Sequence, residues 1–488
     1  MNPIKEYQVK IKKITKELKG VEEKYNSERE KNKELRKGNR YLKKRNKVLT
    51  ASRDNWKEKN KDKKLTINCL ELKIAKDDKI ARHHYPKMII IVSILLRIKG
   101  GCSYGAIIKI LKIIAFCFHL QLQKIPCENS IQNWVSKVGL YMLEKQDKGL
   151  KGKQVSLIVD ESIRMGREKQ LLVLAIPWKK EKEDALKFED VQVVHLEGSI
   201  SWNGEKIAKV IDDLIKKHGF EVKNILSDED SKLKKASRLS EIVHLPDISH
   251  AVATCLRRSF EKEESYKAFT TLIASYQRKG VNQDISYLHP PKQRSKARFM
   301  NQSGIVNWSG KMLERFDKLG EKAKEFFQEL PNHQPIIDEL EISLLVAKHI
   351  SLSFKNKGLS LKTLKSAQIV TQIHKREEGL FGVFLTQLNG YLTQYQEVVK
   401  QLGNTAIDVC SEIIECLFGK YKSKAHSHPL TGLTKLNLEI PLYCLTNEEL
   451  VQQIPIALEN ISMNQLETWV EKHSSDNQLV KRIAFFKK

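Results

Sequence analysis

Between residues 151 and 260 the apolar positions come in short, almost unbroken runs separated by helical stretches. Val155–Val159 reads as a buried strand that ends at Asp160. Gln170–Ile176, after a turn at Gly166, and Val191–Leu196 read as the second and third strands. The period then changes. Ile207, Val210, Ile211 and Leu214 share one helical face, and Gly219 is placed to stop that helix. Val222–Leu226 is a fourth strand ending just before Asp228, a short helix carries Leu233 and Ala236, and Ile242–Leu245 is a fifth strand. Helix resumes at His250. Three strands in hairpin succession followed by helix-linked strands predict a mixed sheet with helices packed on it.

Outside that region the pattern is helical. Residues 255–404 predict a mostly helical insertion, interrupted by the basic loop His289–Arg298. Residues 405–430 return an apolar helix, and 431–488 form a C-terminal helical region. Upstream, residues 83–146 are crowded with aliphatic side chains. A helix capped by Ser103 follows the Gly100-Gly101 break, and a second opens after Pro126. Helix, loop, then a helix whose early positions are Ser130, Gln132, Asn133 and Lys137 predict a helix-turn-helix-like DNA-binding domain. Residues 1–80 follow a heptad. Thirteen of its twenty seam positions are apolar, Leu35, Leu42 and Leu49 occupy d, and Asn32, Asn39, Asn46 and Asn60 occupy a. Leu at d with Asn at a favours a two-stranded, in-register coiled coil, hence a dimer or higher assembly.

Charge sharpens this picture. The 488 residues carry 86 Lys+Arg against 59 Asp+Glu, a net +27, and residues 1–80 alone contribute +13. Such an excess suits a polyanionic partner. The eight cysteines form no CxxC pair, which argues against a zinc framework and for reduced thiols. No apolar run reaches the ~18–20 residues of a membrane span, and Met88–Leu96 is closed by Arg97 and Lys99. The expected protein is soluble, intracellular and free of membrane.

The candidate chemistry lies in carboxylates. Asp160 and Asp228 follow the first and fourth strands, which are neighbours in a sheet of this order, so their ends bring the two side chains together. Close carboxylates repel unless a cation sits between them. Oxygen ligands of this kind suit Mg²⁺, with Mn²⁺ as a substitute, and two such ions activate a nucleophile and stabilise the leaving oxygen of a phosphodiester. A third carboxylate is expected from Ser411–Lys422, where Glu415 is preferred and Glu412 is the alternative. Lys422 lies two turns beyond Glu415 on the same side. Glu161 and Asp230, beside the two aspartates, are alternative ligands. Trp308 is a candidate for stacking on an unpaired base or for the core. His426 and His428 lack a third partner and read as a turn.

At these residues the chain resembles a DDE transposase of a bacterial insertion sequence, a member of the ribonuclease-H-like superfamily. The matching segments are Val159-Asp160-Glu161-Ser162, Leu226-Ser227-Asp228 and Ile413-Ile414-Glu415 through Lys422, and Asp247-Ile-Ser-His250 resembles the Asp-x-x-His after the fifth strand. The resemblance implies a ribonuclease-H-like α/β core formed by 151–254 and 405–430, split by the helical insertion 255–404. It implies catalysis by Asp160, Asp228 and Glu415 on two Mg²⁺ ions, with His250 and Asp247 supporting them and Lys420 and Lys422 contacting phosphate. It further implies cutting of double-stranded transposon ends, joining of the 3′-OH to target DNA, and a cytoplasmic, nucleoid-associated location. Two other functions fit the residues less well: a dimeric DNA-binding protein with an inactive core, and a structure-specific nuclease.

Overall fold

The computed structural model describes residues 79–117, 124–144, 149–165, 168–179, 182, 184–279, 284–293, 298–373, 379–403, 405–424, 433–473 and 478–486, with isolated positions 43, 46, 47, 50, 53 and 54 upstream. The chain divides into two units, Met1–Asp78 and Lys79–Lys488. In the first, the six described residues are helical and exposed. The heptad seam as a whole, the turn at Gly166, and His426 and His428 lie outside the described residues.

The second unit begins with three helices: α1 (Lys87–Ile98), α2 (Tyr104–Cys117) and α3 (Glu128–Glu144). The αβ region follows as β1 (Gln154–Met165), β2 (Glu168–Pro177), β3 (Gln192–Ser199), α4 (Gly204–His218), β4 (Glu221–Ser227), α5 (Ser231–Leu239) and β5 (Val243–Pro246). The strands lie in the order β3-β2-β1-β4-β5. The β1–β2 and β2–β3 pairs are antiparallel, whereas β1–β4 and β4–β5 are parallel. This mixed five-stranded sheet is consistent with a ribonuclease-H-like fold. Helix α4 is capped by Asn203, whose side chain accepts from Lys206 N at 2.9 Å, and stopped by Gly219 at φ 62°. The glycine expected to end that helix therefore does so in the left-handed conformation that needs no Cβ.

Alternation along the strands sorts the sheet into two faces. Val155, Leu157, Val159, Val173 and Ile225 pack against Ile207, Ile211 and Leu214 of α4 and Leu233 and Ala236 of α5. Ile158, Leu172, Leu174, Ile176 and Leu226 point the other way, into a larger cluster. That cluster takes in α1–α3 together with helices from the end of the chain: α13 (Glu412–Lys424), α14 (Ile440–Tyr443), α15 (Asn447–Asn460) and α16 (Met463–His473). The described helices of 83–146 and of 431–488 up to His473, expected as two separate regions, thus share one core with one face of the sheet.

Between β5 and α13 the chain leaves the sheet as α6 (Ile248–Phe260), α7 (Glu264–Lys279), α8 (Ser303–Glu314), α9 (Glu321–Phe327), α10 (Gln334–Lys357), α11 (Leu361–Ile373) and α12 (Leu380–Leu402). These helices bury a separate apolar core around Phe269, Phe327, Phe354, Phe384 and Tyr395. The expected boundary at 254/255 falls inside α6. Its Ile248, Ala251, Cys255 and Leu256 already belong to the insertion's core, so the insertion starts directly after β5. A last helix, α17 (Gln478–Phe486), is exposed over 481–486. Among the described residues no helix is long and apolar enough to cross a membrane.

Candidate active site

The expectation that β1 ends at Asp160 needs correction. The strand runs on to Met165, through an irregularity between Glu161 and Ile163, because β2 continues to pair with it there. What ends near Asp160 is the parallel ladder with β4, whose last pair is Ile158↔Leu226. Two further residues along both strands set Asp160 level with Asp228, on chains that in a sheet are about 4.8 Å apart. Asp160 pairs with Leu172 and shares its face, the one that α13 covers, and Asp228, just past the end of β4, is near enough to His250 for its charge to act on that ring. Ile413, Ile414, Leu417, Phe418 and Tyr421 fix α13 against that face, and its first turn carries Glu412 and Glu415.

The neighbouring acids are otherwise engaged. Glu161 points to the α5 side, where Lys169 contacts it closely and Lys232 Nζ lies 3.1 Å from both its oxygens. Asp230 caps α5, accepting from Lys232 N at 2.9 Å. Glu412 is held by a close ion pair with Lys355 of α10 and accepts from Ser249 Oγ at 3.3 Å. Glu415 is half exposed, with one oxygen 3.4 Å from His250 Nε2. The Asp228 carboxylate accepts a local bond from Asp230 N at 3.2 Å.

Asp247 organises the base of this site. It is 1% exposed and caps α6 by accepting from His250 N at 2.9 Å. The same carboxylate receives the Ser411 backbone N–H and the Ser411 hydroxyl, the latter at 3.0 Å. Ile248 N also donates to Val409 O at 2.9 Å. The chain's exit into the insertion and its return to α13 are thereby joined just below Glu415. Burial pushes the Asp247 carboxyl up, against the pull of the Ser411 and His250 bonds.

His250 is pushed up to about 9, first by its hydrogen bond to Glu415, against burial, and then by the negative charges of Asp247 and Asp228. Its imidazole is therefore cationic at neutral pH. The folded value exceeds the ordinary 6.5, so the stabilisation from this pairing is complete below about pH 6.5 and lost as pH rises through about 9. An NMR titration of His250, assigned by comparison with His250→Gln, is expected to give a midpoint near 9, lowered toward the ordinary value in Glu415→Gln. A midpoint at or below 6.5 in the unaltered protein contradicts the pairing.

Among the described residues no three His, Cys, Asp or Glu side chains already converge as a metal cage. The donor chemistry nonetheless fits a hard divalent cation. Asp160 lies two residues past the last β1–β4 pair, Asp228 directly follows β4, Glu415 lies on the helix packed against that sheet face, and Glu415, Asp247 and Asp228 together favour the charged form of His250. The clefts of about 630 and 780 Å³ in the insertion are lined by other residues.

The expected DNA-reading residues fare differently. Helix α3 is enclosed: ten of its seventeen residues are buried, including Trp134, Lys137 and Leu140. Asn133 accepts from Lys435 Nζ at 2.8 Å, Ser130 lies 3.3 Å from Cys127 Sγ, and Gln132 is half buried. At Gly139 a Cβ would stand 1.8 Å from the Leu438 carbonyl oxygen, so another segment lies flush on this helix. The middle of this helix is sheathed, whereas Glu128 and Asn129 at its start are exposed. Trp308 donates its indole N–H to Leu288 O at 3.0 Å and meets Phe327 edge-on at 5.8 Å, a packing role rather than a base-stacking platform. Lys420 and Lys422 are exposed on α13, with Lys420 Nζ 3.9 Å above the Phe188 ring.

No family model matches the sequence. No curated protein matches it either. Among solved structures, the Drosophila P element transposase strand transfer complex shares 14% identity, covers 80% of this chain and 100% of its own, and superposes with a TM-score of 0.42. The likeness is slight.

Proposed function

We propose that this chain is a metal-dependent DNA transposase that cuts element ends and joins the freed 3′-OH to target DNA. The observation that supports the reading is His250, which meets Glu415 at 3.4 Å and feels the charge of Asp228, beside the strand ends that carry Asp160 and Asp228. Glu161 and Glu412 sit in ion pairs with lysines, and Asp230 caps α5. Asp160, Asp228 and Glu415 would hold Mg²⁺ or Mn²⁺. Bound there, the ions would lower the pKa of an attacking water or hydroxyl and neutralise charge on the leaving oxygen.

The protein's own part is positioning. Asp160 and Asp228 are fixed by strand register. Glu415 is fixed by α13, by the Asp247–Ser411 clasp beneath it and by His250 beside it. In the first step water attacks phosphorus, one P–O bond forms, and the bond to the 3′-oxygen breaks to leave a 3′-OH. In the second step that hydroxyl attacks a target phosphodiester, exchanging one P–O bond for another. Lys422, exposed on α13, would anchor a flanking phosphate. The basic first 80 residues would pair two subunits as a coiled coil, so that two ends are handled together.

The test is cleavage of a labelled duplex carrying the element's ends, with Mg²⁺, Mn²⁺ or EDTA. Nicking that leaves a 3′-OH in either metal and vanishes in EDTA is expected. Tight binding of verified ends without cleavage in any metal would replace this reading with that of a DNA-binding protein whose core is inactive.

A further inference from the structure

The insertion delivers one cation to the edge of the site. Lys355 lies in the last turn of α10 and reaches across to Glu412 at the start of α13. Its side chain is 33% exposed and that of Glu412 is 41% exposed, so the pair sits at the surface rather than in a core. An exposed pair of this kind contributes little to stability, about 0–1 kcal/mol. Gly358 at φ 71° and the Leu359–Ile407 bridge already place the end of this helix, so the ion pair is not needed to hold it there. The pair is also continuous with the candidate chemistry. Ser249 Oγ donates to the same Glu412, and the next residue, His250, holds Glu415.

The exposed ridge of α13 gives the contact a direction. Glu412, Cys416, Gly419 and Ser423 follow one another along it, and Gly419 has nothing within 4 Å of where its Cβ would be. Glu415 and Lys422 border that ridge. At a rise of 1.5 Å per residue, Lys355 is docked about 4.5 Å before Glu415 along the helix axis, and Lys422 projects about 10.5 Å after it. Cations therefore flank the candidate catalytic glutamate on both sides, over a span of about four nucleotide steps of one strand at about 3.4 Å each.

We propose that Lys355 is a DNA-phosphate contact supplied by the insertion, which Glu412 holds in place until a phosphodiester strand running along the α13 ridge takes it over. This rests on the reading of the chain as a DNA-cutting transposase, and it gives the insertion a part in binding DNA beside the site. The exchange is electrostatic: one ion pair to a carboxylate is replaced by one ion pair to a phosphate, and Glu412 is released to solvent.

The experiment uses the full chain and a fluorescently labelled 30-base-pair duplex of mixed sequence in EDTA, with anisotropy read from about 0.05 to 0.3 M salt. Lys355→Met is expected to bind about three- to tenfold more weakly near 0.1 M salt, and to lower the slope of log affinity against log salt by about one. Lys355→Arg should keep both values. Glu412→Gln should tighten binding severalfold, and that gain should disappear in the Lys355→Met/Glu412→Gln double variant, which a purely structural ion pair or a general gain of charge does not predict. Equal affinity and slope for Lys355→Met and the unaltered chain, with the unaltered chain binding, overturns the role of Lys355 alone. An equal gain from Glu412→Gln with and without Lys355 overturns the parking contact. An unaltered chain that fails to bind DNA at any salt overturns this proposal and the transposase reading together. Thermal melting of each variant separates these results from loss of fold.

Discussion

Asp228→Asn is expected to reduce metal-dependent cleavage by about a hundredfold or more while leaving DNA binding and the fold unchanged. The prediction is sharp because of how little else the carboxylate does. Its hydrogen bond is the local one from Asp230 N at 3.2 Å, which an asparagine carbonyl accepts equally well. The substitution therefore removes a charge and keeps the turn. Asp160→Asn should lower cleavage alike, since Asp160 pairs with Leu172 on the sheet face against which α13 packs. Glu161→Gln supplies the contrast. It lies between Lys169 and Lys232 on the opposite face, so its loss should lower stability modestly and leave cleavage near that of the unaltered protein. The check is a time course of nicking on one labelled substrate, with melting temperatures in parallel. Cleavage by Asp228→Asn at the unaltered rate would remove this aspartate from the mechanism.

Glu439→Ala is expected to cost about 3–5 kcal/mol of stability, because it strands buried charge. Glu439 is 1% exposed and Arg97 is 5% exposed, and they meet at 2.6 Å through the arginine Nε. The same carboxylate accepts from Tyr104 Oη at 2.7 Å and from Tyr443 Oη at 2.9 Å, and Lys424 Nζ approaches to 3.8 Å. Removing it leaves a guanidinium and two phenols without their shared acceptor. Lys424, which burial already lowers to about 8, loses its nearby anion. The damage extends to the site, because Lys424 ends α13 and also donates to Arg97 O at 2.8 Å. Urea unfolding measures the loss directly. A change below about 1 kcal/mol would mean that this network does not bind α1, α2 and α13 into one body.

How much of this was legible in the sequence depended on the range of the interaction concerned. The strands were readable because short apolar runs are local: Val155–Val159 and Val222–Leu226 fall within β1 and β4, which pair as neighbours. Gly219 was readable for the same reason, as a residue needed at a particular φ. The enclosure of α3 was not. Ser130, Gln132, Asn133 and Lys137 look like a polar face, yet Asn133 is used by Lys435, which lies 302 residues away. Gly139 held the missing signal, a bare position in mid-helix that marks the close passage of Leu438. The overrun of β1 past Asp160 was hidden because the apolar run breaks at Asp160-Glu161-Ser162; pairing with β2 carries the strand on through an irregularity between Glu161 and Ile163. The choice among acids also needed tertiary contacts. Glu412 and Glu415 are one turn apart and alike in sequence, and what separates them is that Lys355 reaches the first and His250 the second. The joining of residues 83–146 to 433–473 was likewise invisible, since Arg97 and Glu439 are 342 positions apart.

The central claim is that Asp160, Asp228 and Glu415 form one metal site, and it can be tested without cleavage of DNA. Fe²⁺ in place of Mg²⁺, with ascorbate and peroxide, generates hydroxyl radicals that cut the polypeptide beside the bound ion. Scission is predicted next to residues 160, 228 and 415 together, suppressed by excess Mg²⁺ and abolished in Asp160→Asn/Asp228→Asn. Scission confined to other segments, or unchanged in the double variant, would contradict the account.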